Sequence, residues 1–334
     1  AVDGGACLVV PGDGEPALVM DPPEFGGALL GVWFDDLHGY QPEIERPSYV
    51  ARMLGEHAAT RGRIGLDGAA WGATTAFYAG LAHALPLAEI VDATDVPVEL
   101  KRRKSAAEIE HIRRAAVATQ AAVAAATSTA AAGVTDGEVA GAAFEAMARA
   151  GSEYPCLSPI VTSGGRSGML HTTHKRHAIL AGDNVLLEIG ACVQRYTAPQ
   201  MRTLTIGPPA AEVRAAADAC LAALNAVLEA MGPGRAARDA AEAGWRELRA
   251  AGDDLVFHGT FGYGIGAGFP PNWADGSGFV RSDEDSMLEP GMVFHHPVAV
   301  RRLGEFGVAF SETSVITQDG CQVLTRGPRE LVER

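Results

Sequence analysis

The sequence predicts two domains of different class, a small α/β domain over residues 1–100 and a larger α+β domain over residues 101–334. Three observations carry this reading: strand-like runs alternate with helices before residue 100, two capping boxes follow directly, and helix pairs then alternate with long apolar strands. A chain of 334 residues, 47% of them apolar, has the length for two such cores at about 100 to 200 residues each.

Taken in order, "ACLVVPGDGEPALVM" pairs two apolar runs around Pro-Gly-Asp-Gly and reads as a hairpin. Because the chain opens at Ala1 inside such a run, we expect residues upstream to complete this domain. "RIGLD" and "AEIVDA" supply further strands, with helical stretches around 48–60 and 73–84 between them. Ser105 and Glu108 then stand in the Ser-x-x-Glu spacing of a capping box, opening a long Ala-rich helix that Gly133 stops. Thr135 and Glu138 repeat the box before "VAGAAFEAMARAG", whose apolar positions recur at helical spacing. Residues 210–231 and 235–250 predict a second helix pair, broken at "GPG". Around these lie "SPIVTSG", "NVLLEIGACVQRYTAPQMRTLTIG", "GMVFHHPVAV" and "FGVAFSETSVIT", which read as strands and hairpins.

Charge and composition narrow the function. A formal net charge of -14 argues against a nucleic-acid surface, and the short "KRRK" at 101–104 reads as a solvated cluster at the domain joint. No stretch reaches the roughly 18 uninterrupted apolar residues of a membrane helix, and no signal peptide is visible, so the expected location is cytoplasmic. Cys7, Cys156, Cys192, Cys220 and Cys321 are odd in number and scattered, which predicts reduced core thiols with neither a disulfide framework nor a CxxC zinc site.

Two places carry chemistry. In "NVLLEIGACV" a single carboxylate, Glu188, interrupts an apolar strand, and burying it unpaired costs several kcal/mol unless it is partnered or neutral. It is either a hydrogen-bonded core glutamate or a functional acid whose pKa burial has raised. In "MLEPGMVFHHPVAV" the adjacent His295 and His296 point to opposite faces of a strand, a poor geometry for a bidentate metal pair. The glycines of "HGTFGYGIGAGFPPNW" do not fit the dinucleotide spacing and predict close backbone approach along a bent strand instead. "SGGRSG" lacks the Lys-Ser/Thr of a phosphate loop and reads as a loop leading to His171.

Together, "KSAAEIEHIRRA", "LHTTHKRHAILAGDNVLLEIGA", "RTLTIG", "HGTFGYGIG", "LEPGMVF" and "FGVAFSETSVITQDG" resemble, in order, the landmarks of the pita-bread family over residues 104–326. That family includes Xaa-Pro aminopeptidases, prolidases, methionine aminopeptidases, creatinases and ectoine hydrolases. The resemblance implies a pita-bread catalytic domain preceded by the latter part of a creatinase-type N-terminal domain, and a homodimer acting on a small molecule. It also implies where two metals would bind, on Asp, Asp, His, Glu and Glu. Here the first aspartate falls on Glu188 and the second, eleven residues on, on Pro199; the histidine lies at Tyr263, and the two glutamates at Pro297 and Ser311. Proline offers no side-chain donor, so no metal and no other cofactor is expected.

Within the family, the pattern is similar to the ectoine hydrolase branch: Glu188-Ile189 for the aspartate motif, Tyr263 for the metal histidine, "PPNW" at 270–273, "RYTAP" at 195–199, "EYP" at 153–155, and Phe294-His295 on the last strand. The resemblance implies a metal-independent hydrolase opening a cyclic amidine, with Glu188 as nucleophile or general base, His295 as proton shuttle and Tyr263 as donor to the developing tetrahedral centre. His171 matches the family's substrate-pocket histidine; Tyr154, Tyr196, Arg202, Ser311 and Glu312 are further candidate substrate contacts. A creatinase-type amidinohydrolase, a Xaa-Pro peptidase-like protein and a pita-bread shell retained for binding alone are the alternatives.

Overall fold

The computed structural model describes residues 6–40, 45–56, 59–70, 72–252 and 254–334, and the chain divides into two compact units, 1–97 and 98–334. Residues 57 and 58, near the end of the first predicted helix, lie outside the described residues. In the first unit β1 (Cys7–Val9) and β2 (Ala17–Met20) form the expected hairpin. They are followed by α1 (Phe25–Gly31), β3 (Leu37–Gly39), α2 (Arg46–Glu56), β4 (Arg63–Leu66), α3 (Thr75–Ala84) and β5 (Glu89–Asp92). Strand β3 joins β2 in parallel and β4 pairs β5 in parallel, as strand-helix alternation favours. Val9, Val19, Tyr49, Met53, Phe77 and Leu81 form the core of this unit. The division between the units falls within α4 (Asp95–Arg102), a helix the sequence reading did not anticipate.

The second unit opens with α5 (Ala106–Thr129) and α6 (Asp136–Arg149), and both predicted capping boxes are present at Ser105 and Thr135. Strands β6 (Ile160–Ser163), β7 (Asn184–Ile189), β8 (Cys192–Val193), β9 (Tyr196–Thr197) and β10 (Gln200–Thr205) come next, then α7 (Ala211–Ala230) and α8 (Ala237–Leu248). The unit finishes with β11 (Gly262–Phe269), β12 (Asn272–Val280), β13 (Val293–Arg302), β14 (Phe306–Ile316), β15 (Cys321–Val323) and β16 (Val332–Glu333). One sheet has the order β16-β10-β7-β6; the other runs β15-β14-β13-β11-β9-β8, with β12 beside β11.

Side-chain alternation explains the layering. Val185, Leu187 and Ile189 of β7 pack outward on α5 and α6. Phe294, Val298 and Val300 of β13, with Val308 and Phe310 of β14, pack outward on α7 and α8. The opposite faces of the two sheets meet each other, where Ile160, Leu186 and Met201 contact Ala299 and Ala309.

The glycine-rich strand behaves as expected of close backbone approach: a Cβ on Gly264 would fall 2.2 Å from Ser277 Oγ, and one on Gly262 2.8 Å from His296 Nδ1. "KRRK" requires a correction. Lys104 is buried and its ammonium meets Asp275 at 2.8 Å and Ser277 Oγ at 3.1 Å. Charge composition alone cannot reveal that a carboxylate 171 residues away waits inside the fold. The cysteines carry no disulfide, yet Cys156 and Cys192 are brought together, with their sulfurs 3.1 Å apart.

Candidate active site

Glu188 sits near the end of β7, and its register partners Ile160 and Met201 share its face, so the carboxylate turns toward the second sheet. On β13 the same alternation aims His295, Pro297, Ala299 and Arg301 inward, opposite Thr313, Ser311, Ala309 and Gly307 of β14. Glu188 and His295 thus belong to facing surfaces of one inter-sheet space. Glu188 is 8% exposed, and burial pushes its carboxyl up to about 7, with only the Arg301 guanidinium acting in the other direction. A carboxyl with that value exchanges protons readily at neutral pH.

Tyr263 of β11 lies directly beside His295 in register. Its hydroxyl accepts a hydrogen bond from Trp273 Nε1 at 2.8 Å and pairs with His295 Nδ1 at 2.8 Å. His295 Nε2 pairs with Ser311 Oγ at 2.7 Å, and that oxygen accepts from the Met201 backbone N–H at 2.6 Å. A chain of hydrogen bonds therefore runs from Trp273 to Met201, the residue opposite Glu188 on β10. Burial first, and then the Glu188 charge, raise Tyr263 above the ordinary phenol value, so it keeps its proton.

Two proton arrangements satisfy this chain. If Ser311 donates to Nε2 and Nδ1–H donates to Tyr263, the phenol proton is free for the pocket. If the imidazole carries its proton on Nε2, Tyr263 donates to Nδ1 and the Ser311 proton is free. The two differ in which ring nitrogen carries the proton and in which hydroxyl hydrogen is free; both hydroxyls keep their protons and the ring stays neutral. The ring indeed resists charge: His295 is 0% exposed, and burial together with His296 lowers it to about 3. A neutral imidazole thus bridges Tyr263 and Ser311, with both of its nitrogens engaged. His296 faces the α7/α8 side, where Nδ1–H donates to the Phe261 carbonyl at 3.0 Å and Nε2 accepts from Ser314 Oγ at 2.8 Å. Burial lowers it to about 4, and it is a packing residue.

Other expected contacts lie elsewhere. Tyr154 is 59% exposed and is covered by the Arg195 guanidinium at 4.0 Å. Tyr196 stacks on His111 and its hydroxyl donates to Glu108 at 3.0 Å. Arg202, turned to the opposite face from Met201, binds Glu312 at 2.7 Å and the carbonyls of Met201, Ser311 and Pro328. Glu312 also accepts from Gln200 and Thr325 and lies 3.7 Å from Arg329. All four are engaged by protein partners, most of them distant in sequence. His171 is exposed in a left-handed conformation (φ 53). It stands near enough to His258 to help depress that ring below its ordinary value, after burial and Arg301.

Sequence reasoning missed Arg301 and His258. Arg301 is 3% exposed; its Nη1 meets His258 Nε2 at 3.2 Å, and its Nε has no hydrogen-bond partner among the described residues. The signal was available, since a charge at strand parity with His295 is the same anomaly that singled out Glu188.

Residues 110–318 match the model described as metallopeptidase family M24, and residues 1–102 match the creatinase/prolidase N-terminal domain; the chain belongs to the M24 family. It is 26% identical over 346 residues to the ectoine hydrolase of Halomonas elongata, covering 97% of this chain and 86% of that protein. It is 29% identical over 240 residues to the Xaa-Pro dipeptidase of Pyrococcus furiosus, covering 71% and 67%. In fold it is similar to the prolidase from Thermococcus sibiricus, with a TM-score of 0.88 at 19% identity over 100% of this chain and 88% of that one. The X-Pro aminopeptidase from Thermotoga maritima gives 0.83 at 21% identity over 96% and 86%. The chain is thus an M24-type hydrolase with the pita-bread architecture.

The donor set does not fit the metal centre that the family's description implies. The five matching positions hold Glu188, Pro199, Tyr263, Pro297 and Ser311. Among the described residues no three His, Cys, Asp or Glu side chains converge as ligands. Two prolines and a serine stand at three of the four carboxylate positions, and proline offers no side-chain donor.

Proposed function

We propose that the protein is a metal-independent hydrolase that opens the C–N bond of a small cyclic amidine, as in ectoine. The observation that carries this reading is Glu188, a buried carboxyl near 7 facing the Tyr263–His295–Ser311 chain where family peptidases place metal ligands. The similarity to an ectoine hydrolase over 97% of the chain supports it. An amidinium carbon is electrophilic without Lewis-acid help, which suits a pocket that offers one base and hydroxyl donors.

In this mechanism the Glu188 carboxylate takes a proton from water as the oxygen attacks the carbon between the two ring nitrogens. The Tyr263 hydroxyl donates a hydrogen bond to the oxygen of the tetrahedral centre, its own oxygen held by Trp273 and His295. As the C–N bond breaks, the Glu188 carboxylic acid gives its proton to the departing nitrogen. The hydroxyl proton of the tetrahedral centre passes to the same amine as the amide carbonyl forms, so that an amidinium yields a neutral amide and an ammonium. One water is consumed, one amide and one ammonium are formed, and the carboxylate is regenerated. Tyr263 keeps its own proton throughout, and His295, itself held by Ser311, fixes the direction of the hydroxyl.

The test is a substrate screen of the purified protein with ectoine, hydroxyectoine, creatine and Xaa-Pro dipeptides, with and without a chelator. Ectoine consumption unchanged by chelator is the expected result. Xaa-Pro cleavage that requires added manganese or cobalt would overturn it.

A further inference from the structure

We infer that Arg301 is the binding residue for a carboxylate on the substrate, with His258 holding its guanidinium in place. This rests on the amidine-hydrolase reading and deepens it, because it requires the ring to carry an anionic group on the side away from Tyr263.

The argument begins with charge. A guanidinium that is 3% exposed has lost nearly all its hydration, and such a cation persists only with an anionic or strongly hydrogen-bonding partner. Its one side-chain hydrogen-bond partner among the described residues is His258, a neutral acceptor through Nε2. No described carboxylate lies within ion-pair distance of it; Glu188 acts on it only at longer range. The inner face therefore holds a cation that the protein leaves uncompensated in the absence of ligand.

Geometry then selects the ligand. With Nη1 committed to His258, the free side of the guanidinium is the Nε–Nη2 edge, and Nε has no partner among the described residues. That edge presents two parallel N–H groups in the spacing of a carboxylate's two oxygens. Arg301 occupies the same inward row of β13 as His295, three alternations along, so a ligand held there lies in the space that Glu188 faces. A strand rises about 6.6 Å per alternation. The long arginine side chain can therefore span part of that row, and a small ring can reach from Arg301 to the Glu188 carboxyl. His258, which binds Arg301, and His171, which acts on His258, are both exposed, so this end of the row reaches solvent. His258 must remain unprotonated to accept from Arg301, and burial, Arg301 and His171 all push it that way.

Three probes separate this inference from the reaction assignment: ectoine, the same ring without its carboxylate (2-methyl-1,4,5,6-tetrahydropyrimidine), and cyclopentanecarboxylate, which lacks the amidine. Calorimetric titration of the wild-type chain should show binding of ectoine and cyclopentanecarboxylate. In Arg301→Met and Arg301→Lys, affinity for both should fall about 10- to 100-fold, while affinity for the ring without its carboxylate should not fall. Circular dichroism confirms folding, and Arg301→Lys keeps a buried cation should the methionine variant fail to fold. If ectoine is never hydrolysed but cyclopentanecarboxylate binds in an Arg301-dependent way, the anion site stands and the reaction assignment falls. Equal cyclopentanecarboxylate affinity in wild type and both variants, or no binding to wild type, overturns the inference whatever the enzyme hydrolyses.

Discussion

Replacing Glu188 by glutamine should inactivate the protein and, above neutral pH, make it more stable. The side chain keeps its shape and loses only its charge. The carboxyl moves from an ordinary value of 4.5 to about 7 in the folded chain. At about 1.36 kcal/mol per tenfold change in proton affinity, ionising it inside the fold costs about 3 kcal/mol more than ionising it in the unfolded chain. Because the folded value is the higher one, the folded state binds more protons between those two values. The wild-type chain accordingly loses this stability as pH rises from 4.5 through about 7, and the loss is complete above that. Glutamine does not titrate. The variant should therefore match the wild type near pH 4.5 and exceed it by about 3 kcal/mol at pH 8, or about 6 to 12 °C in melting temperature for a unit of this size. Loss of the general base should lower kcat by about 10²- to 10⁴-fold. Thermal melts across pH, read beside ectoine consumption, test both halves. A melting-temperature difference that is the same at both ends of the range would show that Glu188 does not ionise in a dehydrated site. Activity within tenfold of wild type would remove it from the chemistry.

Tyr263→Phe should lower kcat by about 10²- to 10³-fold with KM little changed, because the lost hydroxyl serves the transition state rather than ground-state binding; an equal loss in kcat and 1/KM would assign it to substrate binding instead. Glu312→Gln leaves Arg202 buried without its counter-charge and should cost about 3 to 5 kcal/mol in denaturant melts while the folded fraction keeps its kcat; collapse of kcat at unchanged stability would place Glu312 in the reaction. The pH–rate profile of kcat/KM should rise through a limb near 7 that belongs to Glu188 and is missing from the residual activity of Glu188→Gln; a wild-type profile flat from pH 5 to 9 would contradict that assignment.

Local patterns carried much of this architecture. Capping boxes at Ser105 and Thr135 marked where two helices begin, and strand alternation separated His295 from His296 before any coordinates. The lone charge in "NVLLEIGACV" marked Glu188, since an apolar strand tolerates a carboxylate only for a reason. These signals are local because hydrogen-bonded turns and pleats repeat over a few residues.

Which of the candidates meet was decided only in three dimensions. Arg202 and Glu312 resembled substrate contacts until they proved to satisfy each other across 110 residues. His295 was expected as a proton shuttle, and only the fold shows Tyr263 and Ser311 on its two nitrogens. Parity with His295 gives the face that Arg301 takes, but the burial of its guanidinium without a carboxylate depends on the packing of one sheet on another, which no spacing along β13 encodes. A residue's charge state and free hydrogen-bonding edges are set by neighbours distant in sequence; parity gives the face a side chain takes, while the fold decides what stands opposite.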